Sequence, residues 1–305
     1  MCYWDVRPGW FERARTKDDD DAMDVQDEWY AGERLIGTKR ALRDDAMKAF
    51  GSLKLIHWVD DGVGTRCGAF RCREGERDWI IVVYRGTTPN VRRGLFKESS
   101  INARAGQRVV SIGDVRGRVH VGYAEAYEAT RNAMEDVVRR EMDSTGSSAT
   151  KVVVCGHSLG GALATLCAAG LAKEYDDVEC VTFGQPRVGD KEFCASLDAE
   201  RKVKYARIVH GGDLFARVPT SGIWLPTSNE GRFAVEYAHA GSMFWTDATG
   251  VGKHAYSKKG EGEPDGFWTD TRMANPLRVA NDHSGYARFL DDDSVEAQWP
   301  PSGLI

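Results

Sequence analysis

The sequence predicts an α/β protein organised around a mostly parallel central sheet with helices on both faces. Three observations lead there. From Lys151 to Val209, apolar strand-like segments alternate with helical ones, the pattern of parallel strands joined by crossover helices. The segment DWIIVVY, ending at Tyr84, has no polar residue after its first, as expected of a strand buried on both faces. A β-branched run, VVVC, passes through GHSLGG directly into an Ala/Leu-rich run, so a buried strand must turn sharply into a buried helix.

The elements follow in order along the chain. The 305 residues, 42% hydrophobic and 29% charged, suffice for a sizeable core. Residues 1–39 are acidic, aromatic and aperiodic, and read as a solvated, partly disordered extension. A helical pattern covers Arg40 to Phe50, and Thr65 to Cys72 and Trp79 to Tyr84 read as two strands joined by the polar turn REGERD. Tyr123, Ala126, Tyr127, Thr130, Met134, Val137, Val138 and Met142 recur at helical spacing. Next come a strand over Lys151 to Cys155, a helix over Gly160 to Lys173 and a strand over Val178 to Phe183. A helix capped by Asp190 and a strand over Val203 to Val209 complete the alternation. Beyond Asp213 the pattern loosens into loops, with a short hairpin expected over Arg232 to Trp245 and a disordered tail over residues 291–305.

Composition narrows the partners and the setting. A net charge of −5 without any Lys/Arg-rich segment gives no footprint for nucleic acid. The stretch Val152 to Ala172 is long enough to cross a bilayer, but four glycines and a His-Ser pair interrupt it. There is no HExxH, no EF-hand loop and no other metal-binding spacing, so neither cofactor nor metal is expected. The seven cysteines form no CxxC pair and lie mostly in apolar segments, and no apolar stretch follows the first residues. These features predict reduced, buried thiols in an intracellular, cytoplasmic protein.

The chemistry centres on Ser158. A bare G-x-S-x-G is a weak signal, but here it sits where a strand turns into a helix, so the turn lifts the serine hydroxyl out of the sheet edge. The helix N-terminus beneath it favours developing negative charge. A serine hydroxyl needs a histidine base and a carboxylate to orient that base, in the chain order Ser, Asp or Glu, His. Asp213 follows the apolar strand VKYARIVH in a Gly-Gly-Asp turn, at the edge where the serine also emerges, whereas Asp190 is more simply a helix cap. His57, His120 and His210 precede Asp213, and His157 adjoins the serine and is expected to point elsewhere. Among the rest, His283 opens a C-terminal helix after a long irregular stretch, a position free to reach the site. His239 is the alternative, more readily a packing residue. The oxyanion would be met by the backbone N–H of Leu159 and by that of Thr87, in the loop YRGTT after the central strand.

Taken together, VVYRGTT, VHVGYAEAY, VVVCGHSLGGALATL, VTFGQPRVGD, RIVHGGDLFARVP and DHSGY, in this order, resemble the class 3 lipases, the fungal-lipase-like branch of the α/β-hydrolases. The resemblance spans residues 40–290. It implies an α/β-hydrolase fold with Ser158 as nucleophile, Asp213 as acid, His283 as base, and Thr87 with Leu159 as oxyanion hole. It further implies a triacylglycerol lipase-like enzyme acting on acylglycerols or glycerolipids, with a lid over about residues 89–118; the lid and the aromatic N-terminus offer peripheral contact at a membrane or lipid-droplet surface. Two departures stand out. The lid segment offers Val91, Leu95, Phe96 and Ile101 among many Arg, Lys and Gly, which argues against strong activation at an oil surface and favours small soluble esters as the alternative substrate. The family's Asp-x-Val-Pro pattern is stretched here to DLFARVP. A silent hydrolase fold used for binding is the remaining alternative, and no oligomeric state is implied.

Overall fold

The computed structural model describes residues 28–31, 34–38, 53–60, 65–74, 77–86, 106–145, 150–220, 223–226, 232–246, 254–257, 282, 283 and 286. The expected helix over residues 40–50, Thr87, the first part of the expected lid and the tail over 291–305 lie outside these residues.

Two strands, β1 (Glu28–Ala31) and β2 (Arg34–Thr38), pair antiparallel within the stretch expected to be an irregular extension. The chain then forms β3 (Leu53–Asp60), β4 (Arg66–Glu74) and β5 (Arg77–Tyr84), and the hairpin of β6 (Gln107–Ile112) and β7 (Val115–His120). Helix α1 (Val121–Thr145) leads to β8 (Lys151–His157), which turns into α2 (Leu159–Leu171). After β9 (Val178–Phe183), α3 (Lys191–Ala199) and β10 (Val203–His210) come a single 3₁₀ turn (Phe215–Arg217) and the strands β11 (Ile223–Pro226) and β12 (Arg232–Val235). Strands β13 (Ser242–Thr246) and β14 (His254–Ser257) end the series, and residues 282, 283 and 286 are helical.

Eight strands make the main sheet in the order β14-β13-β10-β9-β8-β5-β4-β3. The inner five, β13 to β5, are mutually parallel, and antiparallel strands close both sides. The sequence reads this way because β5 and β8 carry unbroken apolar runs with no polar face to offer water. Strand β3, with its mixed LKLIHWVD, gives a weaker pattern and was not expected.

The two sides of the sheet are covered differently. On one face Ala69, Ile80, Val82, Val152, Val154 and Cys180 join the buried faces of α1, α2 and α3 in the largest apolar cluster. All thirteen residues of α2 are buried, which its Ala and Gly content permits because small side chains let the helix lie close on β8 and β9. Fully burying each of its leucines stabilises the fold by roughly 1.5–3 kcal/mol. The opposite face holds separate clusters, one around Phe70, Cys72 and Val83, another of Ile208, Phe244 and Tyr286. Among the described residues, helical structure on this second face is limited to the turn that carries Tyr286.

Two expectations are corrected here. Residues 107–118, taken as the end of a lid, belong to the β6/β7 hairpin, which is fastened to α3. Arg118 N donates to Asp190 Oδ1 at 3.1 Å and Arg116 N to Ser196 Oγ at 3.0 Å. The same Asp190 carboxylate caps α3 by accepting from Phe193 N at 2.8 Å. The hairpin over Arg232 to Trp245 is absent, because its two halves find other partners. Arg232–Val235 pairs back onto Ile223–Pro226, while Ser242–Thr246 joins the main sheet beside β10.

Candidate active site

Parallel strands deliver their carboxyl ends to one edge, and the loops leaving β5, β8, β9 and β10 meet there. Ser158 is the single residue between β8 and α2. It adopts φ 56°, ψ −128°, a left-handed backbone that a non-glycine residue takes only when its surroundings compel it. The compulsion is steric and local. A Cβ on Gly156 would collide with the Gly160 carbonyl, and one on Gly160 with the Tyr84 carbonyl, so both positions must be glycine for helix and strands to close on each other. Ser158 N donates to Phe183 O at 2.9 Å, which ties the turn to β9.

The structure brings three of the expected residues into one chain of hydrogen bonds. Ser158 Oγ donates to His283 Nε2 at 2.9 Å, and His283 Nδ1 donates to both carboxylate oxygens of Asp213, at 3.0 and 2.9 Å. Asp213 is wholly buried, while 15% of the His283 side chain remains accessible at the mouth of the site. Burial pushes the Asp213 carboxyl up. Charge and hydrogen bonding from His283, followed by the Tyr286 hydroxyl, outweigh that and hold it below the usual carboxylate range. Leu159 opens α2, so its backbone N–H has no partner within the helix. Thr87 lies outside the described residues. Its neighbour Gly86 sits against the elbow, where an added Cβ would lie 3.3 Å from Ser158 Cβ.

His239, the alternative base, is elsewhere. Its Nε2 donates to Ala216 O at 2.8 Å, and burial drives its pKa far down, so it is a neutral packing residue.

Four residues that support this chain were not foreseen in that role. Tyr286 OH donates to Asp213 Oδ2 at 2.7 Å and accepts from His210 N at 3.1 Å. Burial and then the Asp213 charge raise its pKa well above normal, which keeps the proton on the donor. Asp282 Oδ2 accepts from Gly212 N at 2.7 Å, pinning the residue before the histidine to the loop of the acid. Arg217, wholly buried, donates to the backbone oxygens of Asp213 and, at 3.2 Å, of Gly211. The 3₁₀ turn brings Arg217 back under Asp213, which accommodates the stretched DLFARVP segment. His157 does not point away: its ring packs 4.5 Å from that of His283, and its Nε2 donates to His283 O at 2.7 Å. Gly184 gives room for the acid, since at φ +56° a Cβ there would lie 2.6 Å from Asp213 Oδ2.

A parallel sheet, a strained serine elbow at its carboxyl edge and an ordered Ser-Asp-His set define an α/β-hydrolase. Residues 81–222 match the model of the family described as lipase (class 3). The secreted mono- and diacylglycerol lipase 1 of Fusarium solani is 31% identical over 186 residues, 61% of this chain and 49% of its own. The chain spans less than half the length of the curated relatives it matches. Among solved structures, lipase II from Rhizopus niveus superposes with a TM-score of 0.59 at 23% identity, covering 80% of this chain and 86% of that one. A triacylglycerol lipase whose catalytic centre is a serine protease triad aligns at 25% identity and TM-score 0.56, covering 77% and 81%.

The secreted relative overturns the expectation of an intracellular, cytoplasmic protein. That expectation leaned on unpaired cysteines. Of the six described ones, five are buried in the apolar interior, where packing alone accounts for them in any compartment.

Proposed function

We propose that the chain is a serine carboxylic ester hydrolase acting on acylglycerols or related glycerolipids, with residues 40–290 as its catalytic domain. The observation that carries the reading is the continuous hydrogen-bonded path from Ser158 Oγ through His283 to buried Asp213. Ser158 Oγ attacks the ester carbonyl while its proton passes to His283 Nε2, and the buried Asp213 carboxylate stabilises the imidazolium that results. The oxyanion takes hydrogen bonds from the N–H of Leu159, at the positive end of α2, and from that of Thr87. His283 returns the proton to the leaving alcohol. Water, activated by the same imidazole, then releases the acid from Ser158. No cofactor takes part.

The acylglycerol class is supported by the relative from Fusarium solani, a mono- and diacylglycerol lipase. Peripheral contact with a lipid surface is supported by Leu214 and Phe215, which are 40% and 45% exposed immediately beside the acid. Small soluble esters stay as a second reading because of the many charges in residues 89–105.

The test follows acid release from monoacylglycerol and tributyrin, below and above the solubility limit, beside a chain-length series of p-nitrophenyl esters. The enzyme is expected to release fatty acid from the glycerides without a rate jump at the limit, and Ser158→Ala to release none. Hydrolysis of short p-nitrophenyl esters alone would replace the lipase reading with the esterase one. No hydrolysis of any ester would leave a silent fold.

A further inference from the structure

A buried histidine beside the site takes no part in the proton path. His157 ends β8, is 3% exposed and directly precedes Ser158. Its Nε2–H is given to the main-chain oxygen of His283 at 2.7 Å. Its ring lies 4.5 Å from the His283 ring at an interplanar angle of 46°, and meets the Tyr286 ring edge-on at 5.2 Å. The far side of the ring faces the loop after β5, where a Cβ on Gly86 would come within 3.4 Å of Nδ1. The loop carrying His283 is thus joined to the acid's loop through Asp282 and Tyr286, and to the nucleophile's own strand through His157.

From this geometry we infer that His157 is a positioning residue for the base: its Nε2–H and its ring set the place of His283 relative to Ser158, one residue away. The inference rests on the proposed serine hydrolase reading. The chemical logic is one of distance. Because His157 and Ser158 are adjacent, one hydrogen bond to the base's backbone limits how far the base can drift from the hydroxyl it must deprotonate. The residue also has to remain uncharged, since a second imidazolium 4.5 Å away would oppose the charge His283 acquires. Burial, and then the neighbouring His283, push the His157 pKa down to about 3, so it stays a neutral donor where esters are hydrolysed. A plain packing residue would need shape alone. Here a specific donor is aimed at a specific carbonyl.

The test compares the full chain with His157→Leu, His157→Gln, His157→Asn and Ser158→Ala, reading kcat and KM separately on p-nitrophenyl butyrate, with a thermal midpoint for each. Displacing a catalytic group by about 1 Å costs on the order of 100-fold, so His157→Leu is expected to lose about 10- to 100-fold in kcat with KM within about twofold. His157→Gln, whose amide nitrogen reaches the place of Nε2, is expected to recover most of kcat, and His157→Asn, one methylene short, to resemble leucine. If the leucine variant fails to fold, the difference between Gln and Asn decides. Equal kcat for Gln and Asn, or wild-type kcat in all the variants that fold, overturns the inference while leaving the hydrolase reading intact. Failure of the unmodified chain to hydrolyse the ester overturns that reading and the inference with it.

Discussion

The two halves of the site are held by different forces. On the nucleophile's side the backbone does the placing: Gly156 and Gly160 allow carbonyls to approach within distances that any side chain would block, and Ser158 is pressed into a left-handed conformation between them. On the acid–base side the placing is done by side chains. Tyr286 and Arg217 hold Asp213, Asp282 holds Gly212, and His157 holds the main chain of His283. The first arrangement is rigid because close-packed backbone cannot yield without unfolding. The second is adjustable, since each hydrogen bond can be lost singly while the fold survives. Substitutions on the two sides should therefore fail in different ways, stability on one and turnover on the other.

Asp213→Asn is the strongest way to break that contrast. It keeps the shape but deprives His283 of its carboxylate, and should lower kcat about 10⁴-fold by favouring the wrong tautomer, with little change in the thermal midpoint. A loss below tenfold, or an unfolded protein, would contradict the division. Gly160→Ala attacks the other half. Its Cβ meets the Tyr84 carbonyl, so denaturant unfolding should show a loss of about 3 kcal/mol or more, as overpacking of a tight interior does. A stable variant that had lost only turnover would mean that the elbow, too, is held by adjustable contacts.

A smaller effect sharpens the comparison through pH. His157, at the seam between the halves, and His239, away from it, are both buried neutral, with pKa values depressed below 6.5. Below that value the unfolded chain takes up protons that the folded one refuses. Stability is thus fully present above about pH 6.5 and is lost as pH falls, for His157 down toward about pH 3. Each histidine adds a slope of about 1.4 kcal/mol per pH unit in that window. Urea unfolding of His157→Gln between pH 6 and 4 should show a flatter slope than the unmodified chain. An unchanged slope would mean that His157 carries a proton in the folded state.

What could be read from the sequence follows the same division. The elbow was legible because glycine is demanded where backbones touch, and a β-branched run meeting an Ala/Leu-rich one marks the turn. The turn after the strand VKYARIVH then pointed to Asp213, and chain order with a loop position free to reach the site favoured His283 over His239. The residues that hold them were not legible, because Asp282 meets Gly212 and Tyr286 meets Asp213 across about seventy residues with no periodic pattern to announce it. For His157, adjacency to Ser158 suggests divergence, whereas the strained turn leaves the His157 and Ser158 side chains both in contact with His283. The β6/β7 hairpin was absorbed into the expected lid because its many arginines hide the alternation of Val115, Gly117 and Val119 against their exposed neighbours. The false hairpin over residues 232–245 arose because a strand pattern shows that a segment will pair but not with what.

The central claim, that Ser158, His283 and Asp213 act as one nucleophilic unit, is tested most directly by reacting the full chain with a fluorophosphonate ester and mapping the adduct by mass. One adduct is expected, on Ser158, forming at least about 10³-fold more slowly in His283→Ala and at an unaltered rate in His239→Ala. An adduct that persists in Ser158→Ala, no adduct on the unmodified chain, or a greater loss in His239→Ala than in His283→Ala would contradict it.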